Sequence, residues 1–120
     1  METQQPINPS KILQTGTGFF NSKTLLTAVN MGLFTVLGDN KMSGKDIQKN
    51  LGLHDRSLYD FLDALVAMAF LERTGTKTTA IYSNAPDSNL FLDKNKPTYV
   101  GGILEMCNNR LYPFWNNLEA

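Results

Sequence analysis

The clearest periodicity in the chain runs through Leu58, Phe61, Leu62, Leu65, Val66 and Ala69, where apolar positions recur every three or four residues along one helix face. Asp55, just after Leu53 and His54, is placed to cap that helix. A shorter helix is predicted ahead of it. Ser43 is its N-cap, Asp46 favours the helix N-terminus, Ile47 and Leu51 point inward, and Gly52 is the stop. After the long helix, residues 71–74 and 80–83 alternate and are rich in strand formers. Gly75-Thr76-Lys77 between them predicts a two-stranded hairpin. A short helix, a longer helix and a hairpin make a winged-helix arrangement. The predicted fold class is therefore mainly α, with a small β-hairpin wing.

Upstream, Asn8 is expected as an N-cap with Pro9 at the first helical position. Ile12 and Leu13 start an apolar pattern that Thr15-Gly16-Thr17-Gly18 interrupts, marking a break or a close backbone approach. Residues 19–29 then read as a helix that is apolar on more than one face. Phe19, Ser22 and Leu26 share one side, and Leu25, Ala28 and Val29 another. Such a helix is normally buried all round. A chain of 120 residues holds too little protein to surround it, so a partner chain or a second domain is its expected cover. Gly32 closes the helix, and Leu33–Leu37 is a short apolar turn.

Beyond the hairpin, Pro86-Asp87-Ser88 starts a turn carrying Leu90, Phe91 and Leu92, and residues 93–96 read as a solvated loop. Pro97 is expected to open a helical stretch with Val100, Ile103, Leu104 and Cys107 on one side, and Gly101-Gly102 to mark close packing. The last residues run to Ala120 without a C-cap, so the chain is expected to continue. The expected organisation is a disordered tail over 1–7, a winged-helix-like domain over 8–96, and a helical linker over 97–120 that leads to a catalytic domain absent from this chain.

Composition adds two things. Charged residues make up only 18% of the chain, a low share that fits a surface partly covered by something else. Eleven basic residues balance eleven acidic ones, against the basic excess that phosphate neutralisation favours, so nucleic acid is not the expected partner. The single cysteine, Cys107, excludes an intramolecular disulfide, and with one histidine it cannot build an ordinary Cys/His zinc site. No apolar run reaches the length of a membrane span. The expected location is cytoplasmic, with no membrane partner.

No complete catalytic site is legible. His54-Asp55 could be half of a proton relay, but no serine nucleophile flanks the pair, and capping or surface exposure is the simpler role. Asp60 and Asp63 read as a solvated helix face. Cys107 reads as a small core hydrophobe, with only Arg110 nearby to favour a thiolate. Gly16-Thr17-Gly18 follows no strand and precedes no Gly-Lys-Ser. The would-be recognition helix sets Arg56 against Asp55 and Asp60, and only Arg73 and Lys77 make the wing mildly basic. Packing against protein is favoured over insertion into a DNA groove.

The run Gly18-Phe19-Phe20-Asn21-Ser22-Lys23-Thr24-Leu25-Leu26-Thr27-Ala28-Val29-Asn30-Met31-Gly32-Leu33-Phe34 resembles the opening of small-molecule O-methyltransferases. So do the Ser43-capped helix, the Phe61-Leu62-Asp63-Ala64-Leu65-Val66-Ala67-Met68 core, and Tyr82-Ser83-Asn84 followed by Leu90-Phe91-Leu92. The resemblance is to the family's N-terminal dimerisation domain and covers the chain from about Ile12 onward. It implies a homodimer, and a C-terminal Rossmann-like domain that binds S-adenosylmethionine and acts on a small-molecule substrate. This stretch alone is expected to bind no cofactor and to hold no catalytic residue or metal. By the same resemblance, Phe19, Phe20, Asn108, Asn109 and Tyr112 are candidates to line the substrate pocket. Phe114 and Trp115 would lie near the cofactor. The rival reading is a winged-helix DNA-binding transcription regulator, which requires exposed basic groups around Arg56, Arg73 and Lys77. A free-standing adaptor without a catalytic half is a third.

Overall fold

Helix α2 (Phe19–Met31) runs until Gly32, whose left-handed backbone (φ +79°) ends it and turns the chain directly into α3 (Leu33–Leu37). Leu33, Phe34 and Leu37 of α3 are fully buried, so the expected apolar turn is a short helix at the centre of the core. The computed structural model describes residues 7–115, with the side chain of Lys77 excepted. The expected tail over 1–7, apart from Ile7, and the expected uncapped end at Ala120 fall outside the described residues.

The winged-helix arrangement follows. Strand β1 (Met42–Ser43) leads into α4 (Gly44–Leu51), where the Ser43 hydroxyl accepts from the Asp46 backbone N–H at 3.2 Å, as the cap pattern required. Helix α5 (Leu58–Ala67) buries Leu58, Leu62 and Leu65 against Ile47, Phe34 and Tyr82 in one apolar cluster. Strands β2 (Leu71–Thr74) and β3 (Ile81–Asn84) form the expected hairpin, with a 3₁₀ turn over Lys77–Thr79 in its connection. β1 pairs antiparallel with the other side of β3, giving a three-stranded sheet in the order β1-β3-β2.

Several expectations need correction. Helix α1 (Ser10–Gly16) starts one residue later than predicted, and Asn8 Oδ1 accepts from the Ser10 N–H at 2.9 Å. Asp55 caps no helix, because α5 starts three residues later behind Ser57. Its carboxylate instead accepts from the Gln48 amide and pairs with Lys45 at 3.2 Å, fastening the loop to α4. Ala69 lies past the end of α5 at φ +65° and is exposed, so it does not belong to the buried stripe. Asp93 is buried rather than solvated: its Oδ1 accepts from the Asn95 N–H at 2.9 Å, and Lys96 lies 3.7 Å from its other oxygen.

Pro97 opens no helix. After α6 (Pro86–Phe91), the chain turns through Tyr99 before α7 (Gly101–Met106) begins. Gly101 packs tightly against the Tyr99 ring as its pattern suggested, whereas Gly102 faces open space. α7 continues through a π-helical turn (Cys107–Leu111) into α8 (Tyr112–Trp115). Pro113 explains the wide turn. It has no N–H to give the carbonyl four residues back, and its ring crowds that carbonyl, so the preceding turn opens.

Candidate functional site

The site begins with where α2 and its neighbours leave apolar side chains uncovered. α1 buries none of its seven residues, and Ile12 is 74% exposed. On α2, Leu26, Ala28 and Val29 face the core, while Phe19 and Phe20 remain open on the first turn, their rings stacked 4.3 Å apart. On the last helical stretch Val100, Ile103, Met106, Leu111, Phe114 and Trp115 are also exposed. Singly exposed apolar residues are ordinary, but runs of them on adjoining helices mark an association surface.

One turn after Phe19, Lys23 reaches from α2 to the π-helical turn. Its ammonium donates to Asn108 Oδ1 and lies 5.0 Å from the centroid of the Tyr112 ring, a cation–π distance. In the last turn of α2, Asn30 Oδ1 accepts from Asn109 Nδ2 at 2.9 Å, and Asn108 Nδ2 donates to Asn109 Oδ1 at 3.1 Å. These polar contacts fix α2 against the last helical stretch. Phe19, Phe20, Lys23, Thr24, Thr27 and Phe61 together line an open hollow of about 220 Å³. A second hollow of about 210 Å³ adjoins it, sharing Thr27 and Phe61.

The structure thus divides the sequence candidates. Phe19 and Phe20 form one wall of the hollow. Asn108 and Tyr112 reach its edge through Lys23, and Asn109 is turned toward Asn30. Phe114 and Trp115 are solvent-exposed and line none of these contacts. Lys23, Thr24, Thr27 and Phe61 were not singled out. A signal for Lys23 was present: it is the only charged residue between Lys11 and Asp39. Cys107 is half-buried in the wide turn rather than set in the core.

Electrostatics elsewhere are structural. Asp63 is not a free solvated carboxylate. It accepts from the Tyr82 hydroxyl and from Arg73, each at 2.8 Å, and so ties α5 to the hairpin. Burial first, and the hydrogen bond to Asp63 second, push the Tyr82 hydroxyl far above the ordinary tyrosine range. Arg73 is committed to Asp63 rather than free on the wing, and nothing favours the reading as a DNA regulator. Hydrogen bonds from Asn89 and then Lys96 hold the Asp39 carboxyl below its ordinary range. His54 and Asp55 are both exposed, and no serine joins them. Among the described residues no group of His, Cys, Asp and Glu could hold a metal, and no helix is long and apolar enough to cross a membrane.

The described residues do not fit an S-adenosylmethionine site on their own. Phe114 and Trp115 sit on a four-residue helix, and no glycine-rich strand–turn–helix accompanies them.

Comparison with known proteins agrees with this fold. The O-methyltransferase dimerisation domain family matches residues 13–94. The tetracenomycin polyketide synthesis 8-O-methyl transferase TcmO of Streptomyces glaucescens is 40% identical over 110 residues, which cover 92% of this chain and 32% of that protein. Among solved structures, human N-acetylserotonin methyltransferase in complex with SAM shares the fold, with a TM-score of 0.85 at 20% identity over 99% of this chain and 35% of that one. PigF with SAH superposes with a TM-score of 0.79 at 27% identity, over 95% of this chain and 32% of that one. The chain therefore spans about a third of the length of the relatives it matches.

Proposed function

The chain belongs to the O-methyltransferase dimerisation domain family, and on that premise we propose that it pairs two copies of a small-molecule methyltransferase and helps roof their substrate pocket. The observation that carries the pairing is α1, a helix of seven residues with none buried. Isolated helices shorter than roughly 12–15 residues are marginal in water, so α1 needs a surface to lie on. The open Phe19 and Phe20 beside it call for the same cover.

In the intact protein, residues 8–96 form the association body. Residues 97–120 lead to a Rossmann-like domain that binds S-adenosylmethionine. The reaction is methyl transfer to an oxygen of a small molecule, with the groups that perform it supplied outside this chain. Phe19, Phe20, Asn108, Asn109 and Tyr112 face the substrate, and Phe114 and Trp115 approach the cofactor. The support is the family match, the relatives' names as methyltransferases, and relatives about three times as long as this chain.

The test is the solution mass of the chain by light scattering across a dilution series. A stable mass of twice 13.4 kDa is the expected result. A folded monomer at every concentration removes the pairing claim.

A further inference from the structure

Lys23 is the feature of the hollow that apolar packing does not explain. Its side chain is partly buried, yet its contacts are neutral: the Asn108 amide oxygen and the face of the Tyr112 ring. Among the described residues no carboxylate pairs with it; the other cations without an ion pair, Lys11, Lys41, Lys49, Arg56 and Arg110, are all exposed, whereas Lys23 is not. A partly desolvated charge with neutral partners is incompletely compensated, and an anion placed beside it gains the missing interaction. An ammonium has three donors, and Asn108 takes one.

The surroundings define the rest of the ligand. Phe19, Phe20 and Phe61 give the hollow aromatic walls, and its volume of about 220 Å³ suits one or two fused rings. We propose that this hollow takes a flat aromatic molecule bearing an anionic oxygen, a phenolate or a carboxylate, and that Lys23 is the group that selects for the charge. Asn108 and Tyr112 hold the ammonium at the edge of the hollow. This rests on the reading of the hollow as part of a substrate pocket, and it narrows the substrate to an acidic aromatic.

The test uses 2-naphthoate and its neutral counterpart 2-naphthamide as probes, titrated calorimetrically into the 120-residue chain. The chain is compared with Lys23→Met and Lys23→Arg, and the solution mass of every sample is measured alongside. The wild-type chain is expected to prefer the naphthoate by about tenfold, as one charge-assisted contact provides. Lys23→Met should bring that ratio close to one, and Lys23→Arg should keep most of it. A wild-type ratio near one, or no binding of either probe, overturns the proposal without reference to any variant. A preference that survives Lys23→Met overturns the assignment to Lys23. The mass separates the two readings. A dimer without preference sinks this inference alone, and a monomer that still selects the naphthoate through Lys23 upholds it while removing the pairing claim.

Discussion

Ile12 gives the most direct test of what covers α1. It is 74% exposed, and none of the α1 residues is buried. Full burial of such a side chain is worth about 1.5–3 kcal/mol, so a partner covering the exposed part gains about 1–2 kcal/mol per chain. In a two-fold dimer the same contact occurs twice, giving about 2–4 kcal/mol for Ile12→Ala as an upper range. The dimer dissociation constant should then rise about thirtyfold to several-hundredfold. Sedimentation or light scattering over a dilution series reads that change. Thermal melts at concentrations where both proteins are monomeric should coincide, because Ile12 supports no buried residue. Dissociation of Ile12→Ala at the same concentration as the wild type would refute the argument that a second copy covers α1.

Three further outcomes test the packing. Asn84→Ala should lower stability by about 2 kcal/mol in urea unfolding, because the buried Asn84 amide donates to the Phe34 and Gly38 carbonyls at 2.8 and 3.2 Å, holding α3 to the sheet. Tyr82→Phe should cost about 1 kcal/mol near neutral pH and lessen the loss of stability in alkali. The folded-state pKa of Tyr82 is raised, so its contribution is whole below the unfolded value of about 10 and is lost as pH rises toward the folded one. Tyr99, pushed up to about 12 by burial and by Glu105, keeps part of the alkaline slope in that variant, which a pH series of urea midpoints will show. Ala69→Gly should raise stability by about 0.5 kcal/mol, since relief of the left-handed backbone outweighs the greater freedom of unfolded glycine.

The elements that could be read from the sequence are those whose cause is local. The Leu58, Leu62 and Leu65 stripe, the Ser43 cap and the stops at Gly32 and Gly52 all hold in the structure. The failures occur where a partner outside the periodic pattern decides. Two residues, Met42 and Ser43, show no alternation, and they become a strand only because β3 lies alongside. Asp55 has the chemistry of a cap, but Lys45 and Gln48 stand close enough to claim it. Asp93 looks like loop, yet the turn it closes folds it under Lys96. In each case the residue type was read correctly and the competing partner could not be seen.

The association surface was legible for a different reason. Residues 19–29 carry more apolar positions than one core-facing stripe needs, and the structure leaves the surplus, Phe19 and Phe20, open to solvent. The excess of the pattern over the core is itself a measure of what something else must cover. The hollow was not legible in that way. Its charged edge depends on a contact between residues 23 and 108, and the turn carrying Asn108 is widened by Pro113. Periodicity is blind to that pairing, because a lysine on an apolar helix has the same spacing whether it reaches into water or across to an amide. What the sequence does contain is the isolation of the charge. A single ammonium in an otherwise uncharged stretch has a desolvation cost once the surface around it is covered, and that cost asks for an anion. A structural cation held only by neutral groups should bind probes with or without charge equally well. A selecting one should not, and the ratio between the two naphthalene probes decides which Lys23 is.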